Sequence, residues 1–211
     1  FPPRGHGPPP HGCDVDEGRF LTVLSEAIAA LEAKEIAHLV MGGISSAELG
    51  RPRGTNDIDL FVRPESARLT LEALAAAGFT TEETDPRWLF KAFKDDIMVD
   101  VIFRSTGDIY LDEEMLAHAR VVEVRGCAAR IIAPEDLLIM KALTAAEHMP
   151  HHWHDALGVI TGSDLDWDYL VARARRHGAR RVLSLLLYAQ SNDLGVPVKP
   201  VRALFESIFD D

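Results

Sequence analysis

Phe20, Leu24, Ala27, Ile28 and Leu31 recur at helical spacing, so residues 16 to 35 are expected to form a helix with one buried stripe. The pattern then shortens to an apolar run, Ala37 to Met41, closed by Gly42-Gly43. This reads as a buried strand ending in a tight turn, with a short helix over Ile44 to Leu49 behind it. Asn56 to Val62 reads as the next strand. Successive side chains of a strand point to opposite faces, so Asp57 and Asp59 share one face while Ile58 and Leu60 share the other. A helix from Pro64 to Ala77 follows, opened by its proline and stopped by Gly78. Trp88 to Phe93 and Ile97 to Phe103 predict a hairpin turning at Lys94-Asp95-Asp96, and Val121 to Arg125 with Ala128 to Ile132 predict a second around Gly126.

After Pro134 the period is helical throughout: Glu135 to Glu147, Trp153 to Ile160, Trp167 to His177, Ala179 to Gln190 and Val201 to Phe209. The expected fold class is α/β, a small mixed sheet with flanking helices followed by a C-terminal helical subdomain. Residues 1–15, rich in Pro and Gly, are expected to be a mobile tail, 16–133 the sheet core and 134–211 the helical subdomain.

Composition narrows the class of partner. The chain of 211 residues carries 22 basic and 33 acidic side chains, a formal charge of -11, which argues against non-specific coating of nucleic acid. A polyanionic substrate must find a local basic site. Only Cys13 and Cys127 are present, which fits a reducing cytoplasm and no disulfide framework. No run approaches the roughly 20 apolar residues of a membrane span, so a soluble protein with no membrane partner is expected.

The chemistry is concentrated between Leu39 and Val62. Gly42-Gly43 lets backbone approach a ligand, and the helix start behind it offers amides suited to phosphate oxygens. Asp57 and Asp59 supply hard oxygen ligands for magnesium, which commonly binds through one or two carboxylates together with substrate phosphates and water. Asp100 lies inside the apolar run Ile97 to Phe103, where an ionised group is expensive unless paired or metal-bound, and it is expected at the same site. Three converging carboxylates call for a cation if all are to stay ionised.

Met41-Gly42-Gly43, followed by Asp57-Ile58-Asp59 and by Asp100 on a later strand, resembles the signature of the polymerase-beta-like nucleotidyltransferase superfamily. The resemblance implies that the first two acids bind metal and triphosphate and that the third binds metal or activates the attacking hydroxyl. The fuller string from Gly50 to Leu60 is similar to the bacterial branch that includes AbiEii-type abortive-infection toxins. By that resemblance Lys141, in the segment Pro134 to Lys141, would touch the triphosphate. The match departs at Met149 to Asp155, where histidines stand in place of Arg or Lys.

Each residue also has a plainer reading. Asp57 and Asp59 could be exposed acids on a strand edge, and Asp100 a core acid paired with Lys91, Lys94 or Arg104. Ser45 either bonds phosphate or caps the short helix. Arg51, Arg53 and Thr55 either line the triphosphate path or make surface pairs, and Lys141 is otherwise a solvated helix residue. His148, His151, His152 and His154 beside Asp155 are zinc-ligand types at no compact motif spacing. The run Arg173, Arg175, Arg176, His177, Arg180 and Arg181 either holds an RNA backbone or is a solvated face.

The function expected is metal-dependent nucleotidyl transfer from an NTP, with catalytic and metal-binding Asp57, Asp59 and Asp100. Gly42, Gly43, Ser45, Arg53, Thr55 and Lys141 would bind the nucleotide, ATP among the candidates, with Mg2+ or Mn2+ as cofactor. The acceptor would be RNA, as for a toxin, or a small molecule of antibiotic type approached through Asp164, Asp166 and Asp168. A third reading is a non-catalytic NTP-binding member of a toxin-antitoxin pair, with an antitoxin partner.

Overall fold

The computed structural model describes residues 17–50 and 54–209. A seven-stranded mixed sheet runs in the order β3-β4-β5-β2-β1-β7-β6. Its strands are β1 (His38–Met41), β2 (Asp57–Val62), β3 (Thr80–Asp85), β4 (Leu89–Lys94), β5 (Ile97–Ile102), β6 (Arg120–Val124) and β7 (Cys127–Ile131). The α/β reading holds. The two expected hairpins form, and both turn where two successive residues take positive φ: Asp95 and Asp96 between β4 and β5, Arg125 and Gly126 between β6 and β7.

The helices are α1 (Glu17–Glu32), α2 (Gly42–Glu48), α3 (Ala67–Ala76), α4 (Glu113–His118), α5 (Pro134–Thr144), α6 (His151–Gly162), α7 (Trp167–His177), α8 (Ala179–Ser191) and α9 (Val198–Phe209). The stripe of α1 is buried as its spacing predicts: Leu24, Ala27, Ile28 and Leu31 face the core, joined by Val23. Among the described residues no helix is long and apolar enough to cross a membrane.

Four features differ from the expectation. Gly42 and Gly43 do not precede the short helix but begin it. Thr80–Asp85 is an edge strand whose sequence, TTEETD, has no apolar alternation because its side chains are exposed or half-buried. Helix α4 is a six-residue helix made by its cap, in which the Asp112 carboxylate accepts from the Met115 amide at 2.8 Å. Helix α9 starts earlier than expected, at Val198, because Pro200 lies in the first turn, where no intrahelical donor is needed.

Helix α5 is the hub of the C-terminal part, with every residue from Pro134 to Ala142 buried. Its three ionisable groups are each partnered. Glu135 accepts from the Asp166 amide at 2.6 Å, Asp136 from Arg173 Nε at 2.9 Å and Tyr169 Oη at 2.7 Å, and Lys141 donates to Asp155 at 3.1 Å. Helices α5 and α6 also touch α2, so the helical part closes over the end of the sheet that carries the acids.

Candidate active site

Strands β2 and β5 run parallel with Asp59 opposite Asp100, while Asp57 lies one pleat earlier on the same face. One carboxylate oxygen from each of the three acids comes within 4.8 Å of the others, a grouping able to hold a metal ion. Register extends the row sideways: Met41 pairs with Asp59, Asp59 with Asp100, and Asp100 with Lys91. Lys91 Nζ donates to Asp100 Oδ1 at 2.7 Å, so Asp100 has the lysine partner considered for it and belongs to the acid cluster as well.

The two glycines make room for the acids. Gly42 has φ +65, and a Cβ there would lie 1.7 Å from Asp59 Oδ2. A Cβ on Gly43 would lie 2.4 Å from Thr55 Oγ1. Thr55 in turn donates to Asp57 Oδ1 at 2.6 Å. The double glycine thus accommodates Asp59 directly and Asp57 through Thr55, and the Gly43 amide donates to Asp59. Burial, reinforced by the charges of Asp57 and then Asp100, raises the Asp59 pKa to about 6, with Lys141 and the Gly43 amide opposing. A carboxylate destabilised by two neighbours of its own sign is the electrostatic environment a bound cation would relieve. The donor set fits a hard divalent ion.

A cavity of about 770 Å³ opens on this cluster. Gly42, Gly43 and the acids form its floor, and Lys141 of α5 with His151 and His152 of α6 reach it from the helical side. Its far wall was not foreseen: Arg87 and Trp88 come from the turn before β4, and Ile102, Arg104, Thr106 and Asp108 from the end of β5 and the loop behind it. Only strand pairing brings these segments together, Leu89 lying opposite Ile102, so linear spacing gave no signal for them.

Other expected site residues stand elsewhere. Ser45 is fully buried and donates to the Val40 carbonyl at 2.9 Å, neither capping α2 nor lining the cavity. Arg51 and Arg53 lie outside the described residues. Lys141 lines the cavity but is not solvated; it is 6% exposed and paired with fully buried Asp155.

Asp164, Asp166 and Asp168 do not form an acceptor pocket, being absent from the cavity wall. The Asp164 carbonyl accepts from Arg120, Asp166 caps α7, and Asp168 pairs with Lys199. The histidine cluster forms no metal-ligand group among the described residues. The arginine run is largely spent within the fold. Arg173 is 1% exposed between Asp112 and Asp136, Arg176 pairs with Glu114, and Arg175 and Arg181 donate to backbone carbonyls.

Residues 12–192 match the model of a family described as "Uncharacterised nucleotidyltransferase". No curated protein matches the chain significantly. Among solved structures, that of the antibiotic-resistance factor ANT(2″)-Ia is 17% identical, covering 84% of this chain and 95% of its own, with a TM-score of 0.51. A lincosamide antibiotic adenylyltransferase bound to lincomycin is 13% identical over 69% of this chain and 98% of its own, with a TM-score of 0.46. A nucleotidyltransferase-like protein from Paracoccidioides brasiliensis is 16% identical over 93% and 99%, also with a TM-score of 0.46. At such identities the first of these likenesses establishes a shared fold.

Proposed function

We propose that this chain, which belongs to the uncharacterised nucleotidyltransferase family, transfers a nucleoside monophosphate from an NTP to an acceptor hydroxyl, using Asp57, Asp59 and Asp100. The observation that carries the reading is the convergence of three carboxylates on one cavity floor, with their ligand oxygens within 4.8 Å. The acceptor oxygen forms a bond to the α-phosphorus, the bond from that phosphorus to the pyrophosphate oxygen breaks, and the acceptor proton leaves.

Asp57 and Asp59 would hold magnesium or manganese, with Asp100 contributing a further oxygen. When bound, the cation supplies neutralisation of phosphate charge and lowers the pKa of a coordinated hydroxyl. Thr55 holds one oxygen of Asp57, and the Gly43 amide holds Asp59, so both carboxylates keep their direction with the cavity open. Lys91 holds Oδ1 of Asp100, leaving the other oxygen of that group to take the acceptor proton directly or to fix the metal that lowers its pKa. Lys141 adds positive charge beside Asp59 at the edge reached by the outer phosphates.

The similarity of Gly50 to Leu60 to toxin-like sequences favours an RNA acceptor, within a toxin-antitoxin pair in the cytoplasm. The test is to incubate pure protein with each α-labelled NTP, magnesium and total RNA, then with a panel of small molecules, in parallel with chelator. Label transfer that needs the metal supports the reading. Absence of NTP binding in magnesium would overturn it.

A further inference from the structure

The wall of the cavity beyond Asp100 is built differently from its floor. Asp100 and Ile102 lie on one face of β5, and Arg104 continues the same alternation past the strand end, all three lining the cavity. Opposite them, the Trp88 carbonyl accepts from the Phe103 amide at 3.0 Å, which sets Arg87 and Trp88 beside Arg104. Gly42 and Gly43 stand on the other flank of the acids, next to β1. The acids therefore separate two subsites.

This wall is organised by one carboxylate behind it. Asp85 accepts from Arg87 N, Nε and Nη2 at 3.0, 3.0 and 2.7 Å, and from the Trp88 indole nitrogen at 3.2 Å. A guanidinium and an indole are thereby fixed side by side while the Trp88 residue remains 42% exposed. Asp108 holds Arg104 in the same manner, through Nε at 2.7 Å. Apart from the three acids of the floor, the cavity is lined by Arg87, Arg104 and Lys141, each held by a carboxylate, Asp85, Asp108 and Asp155 in turn. An aromatic face flanked by arginines matches a base with its phosphate, since indole stacks on any base and guanidinium pairs with phosphate oxygens.

We propose that this wall is the acceptor subsite and that the acceptor is a nucleotide, its base on Trp88 and its phosphate on Arg87 and Arg104. The proposal rests on the transferase reading above. Free nucleotides and the single-stranded end of an RNA share this chemistry.

The experiment measures, in magnesium, binding of an NTP to the wild type, and then binding and labelling of adenosine monophosphate, a single-stranded hexaribonucleotide and tobramycin. Trp88→Ala, Trp88→Phe and Arg104→Ala are measured beside it, with thermal melts to confirm folding. The expected result is that a nucleotide probe is bound and labelled and tobramycin is not. Trp88→Ala should weaken the nucleotide acceptor about tenfold or more and leave NTP affinity unchanged, and Trp88→Phe should recover most of the loss. Equal affinity for the two nucleotide probes identifies free nucleotides, and tighter binding of the hexamer identifies an RNA end.

Labelling of tobramycin without either nucleotide, failure of all three probes, or an unchanged acceptor affinity in folded Trp88→Ala overturns the subsite while NTP binding leaves the transferase reading standing. Failure of the wild type to bind NTP overturns both.

Discussion

The Asp59 carboxylate fills the space that a side chain at Gly42 would occupy, with Oδ2 only 1.7 Å from where the Cβ would be. Gly42 also has φ +65, which costs a residue with a Cβ roughly 1–2 kcal/mol by itself. Gly42→Ala must therefore push Asp59 out of line with Asp57 and Asp100. The expected outcome is a lower melting temperature together with a fall in transfer of about 10² or more, the size of loss that small misplacement of a reacting group produces. A folded Gly42→Ala protein with normal turnover would show that the Asp59 position is not critical.

Asp59 binds its proton more tightly in the fold than in the unfolded chain, its pKa rising from 3.8 to about 6. Linkage gives the sign: the metal-free fold loses stability as pH rises from about 4 to about 6 and carries the full penalty above that. Asp59→Asn removes the charge at nearly constant shape, so metal-free Asp59→Asn should melt higher than wild type at pH 7.5 and lose the stabilisation that magnesium gives. In the wild type that stabilisation should fade as pH falls through about 6, where protons compete for the site. Calorimetry at pH 5 and pH 7.5, with and without magnesium, checks both signs.

Lys141 and Asp155 form a buried pair at 3.1 Å. Lys141→Met removes a buried charge partner of Asp155 and should lower stability, by at most roughly 3–5 kcal/mol. Lys141→Met combined with Asp155→Leu should recover much of that loss. If the lysine also faces the outer phosphates, the folded double variant should lose more affinity for triphosphate than for monophosphate. Denaturant melts and titrations of both ligands separate the two roles, and equal losses for the two ligands would confine Lys141 to structure.

The acid cluster was legible because strand alternation fixes which side chains share a face, and because an aspartate inside Ile97 to Phe103 has few affordable environments. The glycine pair was legible as a turn but not as room for Asp59 and Thr55, since that depends on the pairing of β1 with β2. The edge strand Thr80–Asp85 escaped notice because its side chains are exposed or half-buried, leaving no apolar period to detect. Arg173 and Lys141 look alike to a solvated helical residue in sequence, and only the packing of α5 against α6 and α7 shows them buried. Asp164, Asp166 and Asp168 suggested an acidic pocket by proximity alone, whereas a helix start consumes Asp166 as its cap.

Lys91 is expected to hold Asp100 in place rather than to bind nucleotide. Lys91→Met should leave NTP affinity within a few-fold of wild type and lower turnover about tenfold or more, with Lys91→Arg intermediate, since it restores the charge with a different shape. A change in NTP affinity with unchanged turnover would place Lys91 among the nucleotide ligands instead.

The central claim, that these acids perform nucleotidyl transfer, is tested most directly at Asp100. Pyrophosphate release and NTP binding are measured for wild type and Asp100→Ala in magnesium, with a thermal melt of each. The account predicts that the variant stays folded, binds NTP and releases pyrophosphate about 10²- to 10⁴-fold more slowly, the range typical of lost general acid–base assistance. An Asp100→Ala protein that melts several degrees lower yet transfers at the wild-type rate when folded would contradict it.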